Sequence, residues 1–483
     1  MSKDPNPKNR TLATAVGIGT ALFLLAFLSP VIYPIDGNSM LAVAISLVTK
    51  GNFTVPSGMG SIGIDGAYYS DWYPLLSILG TPLVAIAVSV AHLKHLPIFY
   101  TAGAFALVLS PLFTAATAYF VVALALRLGS SQRGAVLAAV AFIFGTIAMV
   151  YSRDFFAEPL LALITAAAIY RQLGDVNERR IASLLAALAV LAKPTGIILG
   201  PLLAAHAGLR DRSAKAMCLP VVGAIAGFAI YALYNTVRFG DPLNFGQPNA
   251  FRLSNVPGGI SVLMLSPGRG LIWYCPVVLA LFGLDRRIVR RLDVALIFAV
   301  ALAYLFVYSL WSLSSGGWCW GPRFLLPALP GLLALTAFLK NGWRRCLVVL
   351  TIAGFLVSSP TLVSYYYRIY QEEIQARENS YDLWSFSQAP FIKVLGSTSR
   401  ELRDARDTDV RMLVRQSGKP SNNQPENWRT LRIVNLWWWM LPILGIPRIL
   451  GAAISAMLTL VGLSLITWAT WRATYVEAED SSG

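Results

Sequence analysis

Apolar runs of about the length needed to cross a bilayer recur along the whole chain, separated by short connections that carry most of the charge. A helix needs about 20 predominantly apolar residues to cross the hydrocarbon core. Only 13% of the residues are charged and 56% are hydrophobic, a composition unlike that of soluble domains. Strand-type alternation suited to a barrel is not evident. The sequence therefore predicts an all-α polytopic membrane protein. Its clearest apolar segments are 12–33, 99–126, 133–151, 155–171, 181–196, 197–209, 216–237, 271–285, 293–312, 323–339, 346–364 and 448–471.

The basic residues determine the orientation of these segments. The net charge of +15 comes largely from clusters in the short connections, where the positive-inside rule places them, and not from a basic soluble domain of the kind that binds nucleic acid. The orientation of all later segments depends on whether a further apolar stretch, Tyr73 to Leu93, crosses the membrane. If it lies along the outer face, most basic clusters fall on the cytoplasmic side; if it crosses, every later cluster moves outside. We therefore predict twelve spans, with both termini cytoplasmic.

This topology divides the chain into three parts. Residues 1–365 form a transmembrane module with a long first external loop, 34–98. Residues 366–435 form a polar extracytoplasmic segment, partly helical. Residues 436–483 contain an interfacial helix marked by the tryptophans at 437–439, the last span and a cytoplasmic tail.

Acids and cations from distant segments gather at the extracytoplasmic ends of the predicted helices. Charged groups at membrane depth are costly and usually pair or face a wet cavity, so a single external cavity is the simplest interpretation. Asp36, directly after the first apolar run, is the leading candidate for a general base. The full set is Asp36, Asp65, Asp71, Arg153, Asp154, Glu158, Lys193, Arg238, Asp241, Arg269 and Arg323.

Two motifs in this set allow a structural or a functional interpretation. Asp154 and Glu158 are four residues apart and share one face if a helix opens there; they either cap that helix, with Arg153 as an ion-pair partner, or belong to the site. Lys193 and Arg323 are lone cations in apolar, Pro- and Gly-rich stretches. They either reach towards the lipid headgroups or bind a phosphate.

The turn 311–321 combines three indoles with Gly and Ser. Trp318 and Trp320 are either interface anchors or a platform on which a sugar face or an isoprenoid chain stacks. The stretch 266–270 is Gly-rich and basic but matches no phosphate-binding loop. The four cysteines and three histidines lack metal-ligand spacing. We predict no metal and no other cofactor, although several acids converge.

In this order, the motifs resemble the bacterial GT-C glycosyltransferases of the protein O-mannosyltransferase and lipid A aminoarabinose transferase type. The resemblance covers about residues 12 to 340. It is carried by Asp36, by Tyr68-Tyr69-Ser70-Asp71-Trp72-Tyr73-Pro74-Leu75, by Ser152-Arg153-Asp154-Phe155-Phe156-Ala157-Glu158-Pro159-Leu160, by Leu191-Ala192-Lys193-Pro194-Thr195, by Tyr234-Asn235-Thr236-Val237-Arg238-Phe239-Gly240-Asp241-Pro242-Leu243, by Leu265-Ser266-Pro267-Gly268-Arg269-Gly270-Leu271 and by Gly317-Trp318-Cys319-Trp320-Gly321-Pro322-Arg323.

The resemblance implies an integral enzyme of the bacterial cytoplasmic (inner) membrane. It would move a sugar, with inversion, from a polyprenyl-phosphate donor to a lipid, glycan or protein acceptor on the extracytoplasmic face. The base would be Asp36; the donor phosphate would meet Lys193, Arg269 and Arg323; and the sugar or acceptor would be positioned by Asp71, Arg153, Asp154, Glu158, Trp318 and Trp320. One departure is Gly37, where the family often has a second acid. The alternative function is a transporter or flippase for a lipid-linked saccharide, since buried charges and broken helices suit it too.

Overall fold

The computed structural model describes residues 7–246, 251–370, 382–404 and 434–482. Helices make up 76% of the structure, with almost no strand, as predicted. The α-helices are α1 (Pro7–Ala26), α2 (Ile35–Lys50), α3 (Pro74–Lys94), α4 (Ile98–Ala106), α5 (Leu109–Arg127), α6 (Gln132–Phe144), α7 (Ala148–Tyr151), α8 (Ala157–Gln172), α9 (Val176–Ala192), α10 (Leu199–Asp211), α11 (Ala214–Phe239), α12 (Val256–Leu265), α13 (Leu271–Tyr274), α14 (Arg286–Val289), α15 (Leu292–Leu310), α16 (Leu329–Leu335), α17 (Asn341–Ser358), α18 (Pro390–Asp404) and α19 (Arg448–Ser482).

Short 3-10 helices and one small hairpin complete the described elements. The strands β1 (Ser61–Ile62) and β2 (Tyr68–Tyr69) pair antiparallel within the first loop. The 3-10 helices are Pro194–Ile198, Leu253–Asn255, Pro276–Gly283, Arg323–Ala328, Thr336–Phe338, Ser359–Leu362, Phe386–Gln388 and Trp437–Leu444. The last of these contains the predicted interfacial tryptophans. Much of the predicted polar segment, at 371–381 and 405–433, lies outside the described residues.

Within the described residues, seven helical stretches are long and apolar enough to cross a membrane, which makes the chain a multi-pass membrane protein. They are Pro7–Ala26, Pro74–Lys94, Ile98–Arg127, Ala214–Phe239, Leu292–Leu310, Asn341–Leu362 and Arg448–Tyr475. The predicted count of twelve is not confirmed. Several of the predicted spans are shorter helices or helices broken by 3-10 turns, such as 271–285 and 323–339.

The break predicted between 181–196 and 197–209 is confirmed, and its cause is local. Helix α9 begins at an Asp175 cap, whose side chain accepts a hydrogen bond from the Glu178 N–H at 3.0 Å. The helix ends at Ala192 because Lys193 is extended and Pro194 cannot donate a backbone hydrogen bond. Lys193 therefore lies at a corner between two helices, where its side chain leaves the helical surface.

The first and last helices pack through glycine. A Cβ atom added at Gly19 would lie 2.7 Å from the carbonyl oxygen of Gly462, and one added at Gly462 would lie 2.6 Å from that of Gly19. Small residues allow membrane helices to approach this closely. Helix α19 thus closes the bundle against α1, although the two are at opposite ends of the sequence.

Helix α3 has both of its ends on one side of the bundle. Asn9 of α1 meets Gln132, just after α5, at 2.8 Å, whereas the other ends of α1 and α5 lie on the opposite side. The two ends of α3 line two different cavities on that opposite side. Tyr73 lines one of them, and Lys94 lines the other, together with residues next to the end of α1 and the start of α5. The prediction that 73–93 lies along one face stays a prediction, since α3 is also long and apolar enough to cross a membrane.

Candidate functional site

A cavity of about 520 Å³ lies on the side of the bundle where α1 ends and α2, α3 and α8 begin. It brings together residues from the first loop, from the corner after α9 and from the tryptophan-rich turn. The predicted site residues that line it are Asp36, Asp71, Glu158, Lys193, Trp318 and Arg323. Those that lie outside its lining are Arg153, Asp154, Arg269 and Trp320. The prediction of one shared cavity therefore holds for part of the set.

Asp36 stands in the first turn of α2, which begins after Pro34. A carboxylate at this position is favoured by the partial positive charge of the helix N-terminus. The neighbouring Gly37 is packed tightly, because a Cβ atom there would lie 2.8 Å from the carbonyl oxygen of Phe155 and 2.8 Å from the Ile32 side chain. The structure thus explains why glycine, and not a second acid, follows Asp36.

Four side chains in the cavity form a charge cluster of two acids and two cations: Asp36, Glu158, Lys193 and Arg323. The Lys193 ammonium donates a 2.6 Å hydrogen bond to Glu158 Oε1. Arg323 Nη1 lies 3.0 Å from Asp36 Oδ2, while its Nε lies 3.9 Å from Glu158 Oε1. These cations point into the protein, since their side chains are only 7% and 11% exposed. The interpretation in which they reach the headgroups does not fit this geometry.

Aromatic rings surround the two cations. The Lys193 ammonium lies 4.3 Å from the centroid of the Phe324 ring and 5.3 Å from that of Tyr308. The Arg323 guanidinium lies 4.8 Å from the Phe156 ring centroid. Rings at these distances attract a cation and exclude water from it. The cluster is therefore held in surroundings where its ionic contacts are stronger than at an exposed surface.

Asp71 provides a further carboxyl group in the cavity. It follows strand β2, in a loop fixed by Arg238, whose guanidinium donates a hydrogen bond to the Ser70 carbonyl. Burial raises the pKa of Asp71 above its ordinary value. Its Oδ1 is buried without a hydrogen-bond partner among the described residues, close to Gly246.

The tryptophan-rich turn is held from behind by Arg269. That guanidinium is buried and donates to the carbonyl oxygen of Ser315 at 2.8 Å and to that of Gly317. Gly316 and Gly317 adopt φ of +77° and +70°, which side chains other than glycine rarely tolerate. The expected contact of Arg269 with a ligand phosphate is therefore not supported by its position, because its donors face the backbone of the turn.

The two tryptophans of this turn have different surroundings. Trp318 lines the cavity. Trp320 is completely buried, and its backbone N–H and C=O both bond to the Tyr151 hydroxyl, at 2.8 and 2.9 Å. Of the two, only Trp318 is placed to touch a molecule in the cavity.

Arg153 and Asp154 lie behind the cavity in the turn before α8. Because α8 begins at Ala157, Asp154 is outside the helix and does not share a face with Glu158; that prediction is wrong. Arg153 donates to the carbonyl oxygens of Phe27, Thr361 and Asn435. Burial raises the pKa of Asp154 to about 7.

The sequence interpretation missed the tyrosines that follow α17. The hydroxyls of Tyr365 and Tyr366 donate to the two carboxyl oxygens of Asp154 at 3.0 and 2.9 Å. Tyr367 lines the cavity, and its ring centroid lies 4.8 Å from that of Trp318. Three consecutive tyrosines were the available signal, at the start of a segment that matches no family motif.

An apolar groove of about 230 Å³ adjoins the cavity. The two hollows share Tyr73, Lys193 and Trp311. The remaining lining of the groove is Pro194, Thr195, Ile197, Phe245, Phe251, Val307 and Tyr308. Lys193 therefore lies at the junction between a charged cavity and a mostly apolar channel.

Metal ligands do not cluster in the part of the chain that the structure describes, where no group of three or more His, Cys, Asp or Glu side chains comes together. The charged contacts of the cavity are ion pairs between side chains. The prediction that no metal is needed stays a prediction.

The sequence matches no protein-family profile and no curated protein sequence. Several solved structures, by contrast, superpose on most of this chain, at low sequence identity. ArnT from Cupriavidus metallidurans in the apo state superposes with a TM-score of 0.50 at 14% identity, over 95% of this chain and 76% of that chain. The same protein bound to undecaprenyl phosphate gives 0.47 at 14% identity, with the same coverage. Arabinosyltransferase EmbB from Mycobacterium smegmatis gives 0.41 at 13% identity, over 95% of this chain and 41% of that chain.

A match at this level of identity concerns the fold, and the superposition on ArnT extends over nearly the whole chain. Together with the helical architecture and the apolar helices, it identifies the chain as a polytopic membrane protein with the GT-C fold.

Proposed function

We propose that the protein is an inverting glycosyltransferase that moves a sugar from a polyprenyl-phosphate donor to an acceptor hydroxyl at the extracytoplasmic face. One observation carries the proposal: a carboxylate, two cations and an apolar groove meet in a single cavity. A lipid-linked phosphate needs both of the last two features. The GT-C fold, shared with the aminoarabinose-type transferase ArnT, supports it.

The positions of the cations and the apolar groove define one orientation for the donor. Its phosphate would lie against Lys193 and Arg323, the first acting as a point charge and the second as a planar, two-pronged donor. Its chain would follow the groove that begins at Lys193 and passes Ile197 and Phe251, both substantially exposed. The sugar would then occupy the cavity near Trp318 and Tyr367, whose rings can cover its apolar face.

The reaction is a single displacement. Asp36 takes the proton of the acceptor hydroxyl as the acceptor oxygen forms a bond to the anomeric carbon. The bond from that carbon to the phosphate oxygen breaks, and its electron pair stays on the phosphate. Lys193 and Arg323 stabilise this negative charge, a contribution of about 3–4 kcal/mol for one well-placed donor in a preorganised site. The products are the glycosylated acceptor and polyprenyl phosphate.

Other predicted residues act through their neighbours. Arg269 fixes the turn that carries Trp318, and Asp154 anchors the tyrosine segment that carries Tyr367. We propose both as positioning residues. Asp71 lines the cavity itself and is placed to hold the sugar or the acceptor.

The test uses inner-membrane vesicles containing the protein, undecaprenyl-phosphate sugar with a radiolabelled sugar, and the lipid, glycan and protein acceptors of those vesicles. We expect labelled acceptor and released undecaprenyl phosphate with the wild type, and at least a 100-fold loss with Asp36→Asn, of the order seen when acid–base catalysis is removed. Asp65→Asn is the matched control, because Asp65 lies in the same loop and bonds to Tyr69, outside the cavity lining. Near wild-type transfer by Asp36→Asn would refute the base assignment. A transporter would form no new glycosidic bond, so the same assay tests that alternative.

A further inference from the structure

The charge cluster has as many acids as cations, and this creates a conflict for any anionic ligand. Glu158 is paired with Lys193, and Asp36 with Arg323. A phosphate entering the cavity therefore meets cations that are already neutralised. To bind both of them, it has to take the place of a carboxylate or share a cation with one.

The two carboxylates are not equally held. Glu158 is 3% exposed, accepts a 2.6 Å hydrogen bond from Lys193 and has Arg323 at 3.9 Å. Asp36 is 22% exposed, and its one ion pair among the described residues is the contact with Arg323. Displacing Asp36 towards the open cavity costs less desolvation than displacing Glu158. Asp36 is therefore the carboxylate that an entering phosphate displaces.

Arg323 is prepared for a second acceptor. Its Nε is buried without a hydrogen-bond partner among the described residues, since the nearest carboxylate oxygen is 3.9 Å away. A guanidinium binds phosphate best through two parallel N–H donors. A phosphate can accept hydrogen bonds from the unpaired Nε and from an Nη group at the same time, whereas Asp36 contacts Nη1 alone.

Taking the proposed function as given, we propose that the donor phosphate replaces Asp36 as the partner of Arg323 and thereby releases the catalytic base. Before the donor binds, the ion pair holds the Asp36 carboxylate against Arg323 and away from an acceptor hydroxyl. After the exchange, Arg323 and Lys193 hold the phosphate, and Asp36 is free to accept a proton. The site is thus activated by its own donor, and the acceptor reacts only when the donor is already bound.

The exchange makes a binding prediction that does not depend on knowing the acceptor. Asp36→Asn removes the competing carboxylate, so undecaprenyl phosphate should bind the purified variant about tenfold more tightly than the wild type, the equivalent of one charged contact. Asp71→Asn removes a negative charge from the same cavity that is not paired with Arg323, and should change the affinity by less than about threefold. Undecaprenol, which lacks the phosphate, should bind all three proteins equally.

A double-mutant cycle tests the route. In an Arg323→Gln background, the affinity gain from Asp36→Asn should disappear, because no guanidinium remains to be freed. The inference is overturned if Asp36→Asn leaves the affinity unchanged, if Asp71→Asn gives an equal gain, or if the gain persists without Arg323. If neither the wild type nor Asp36→Asn binds undecaprenyl phosphate, the proposed function fails as well, so the two failures are distinguishable.

Discussion

The buried pair between Lys193 and Glu158 allows stability to be separated from function. Glu158→Met leaves the Lys193 ammonium without a carboxylate partner among the described residues, in a site where the lysine side chain is 7% exposed. Removing one member of a buried pair typically costs about 3–5 kcal/mol. Lys193→Met should cost less, about 1.5–3 kcal/mol, the value of one hydrogen bond to a charged group. The difference arises because Glu158 still has the Arg323 charge at 3.9 Å.

The double variant Glu158→Met/Lys193→Met separates the two effects further. Replacing a whole buried ion pair by apolar side chains is often neutral, so the double variant should be within about 1 kcal/mol of the wild type. It should nevertheless lose donor binding, because Lys193 is gone. Recovery of stability without recovery of binding would identify the pair as a functional feature.

The assay is equilibrium unfolding of the purified protein in mixed micelles, followed by a thiol-reactive fluorophore that reports exposure of the buried Cys275 and Cys319. Asp285→Asn is the control, because the pair between Asp285 and Lys340 is 3.2 Å long but lies at a much more exposed site, where an ion pair contributes little to stability. The reasoning is refuted if Glu158→Met costs no more than this control. It is also refuted if the costs of the two single changes simply add in the double variant.

Three further predictions concern the surroundings of the cavity. Burial raises the pKa of Asp154 to about 7, above its value of about 4 in the unfolded chain. Between these two pH values the folded protein keeps a proton that the unfolded chain has lost, so the free energy of unfolding falls as the pH rises through that window. Asp154→Asn should flatten this fall in a pH series of unfolding curves. Arg269→Lys keeps the charge but loses the planar donors to the tryptophan-rich turn, and should lower kcat about tenfold or more while donor affinity stays within about threefold, as measured by steady-state kinetics and undecaprenyl phosphate binding. Trp318→Ala should weaken binding of the glycosylated donor relative to undecaprenyl phosphate itself, by about three- to tenfold, because the stacking surface for the sugar is lost; equal weakening of both ligands would contradict this.

Much of the architecture could be predicted because the bilayer imposes a strong rule on the sequence. Runs of apolar residues and the Lys193-Pro194 break correspond to helices and to a corner in the structure. The basic connections predict that 73–93 lies along one face, and this stays a prediction. The shorter apolar segments were harder to assign from the sequence, because a segment such as 323–339 is largely apolar but folds as three consecutive short helices.

The site was only partly predictable, for a geometric reason. Arg269 and Arg323 have similar neighbours in the sequence, each next to Gly or Pro in an apolar stretch. The fold turns one towards backbone carbonyls and the other towards Asp36. Local sequence carries no information on which direction a side chain takes when its partners come from distant segments. The tyrosines at 365–367 were missed for the same reason, since their meaning depends on Asp154.

The contacts of Arg153 have a consequence for the order in which the protein is assembled during synthesis. The carbonyl oxygens that satisfy its guanidinium belong to residues 126, 208 and 282 positions away in the chain. At about 5–20 residues per second, the last of these emerges from the ribosome on the order of half a minute after Arg153. Until then the turn in front of α8 carries a cation that has only one of its three partners, Phe27, because Thr361 and Asn435 follow later in the chain. The contacts that hold this turn, directly behind the cavity, are therefore among the last that the growing chain can complete.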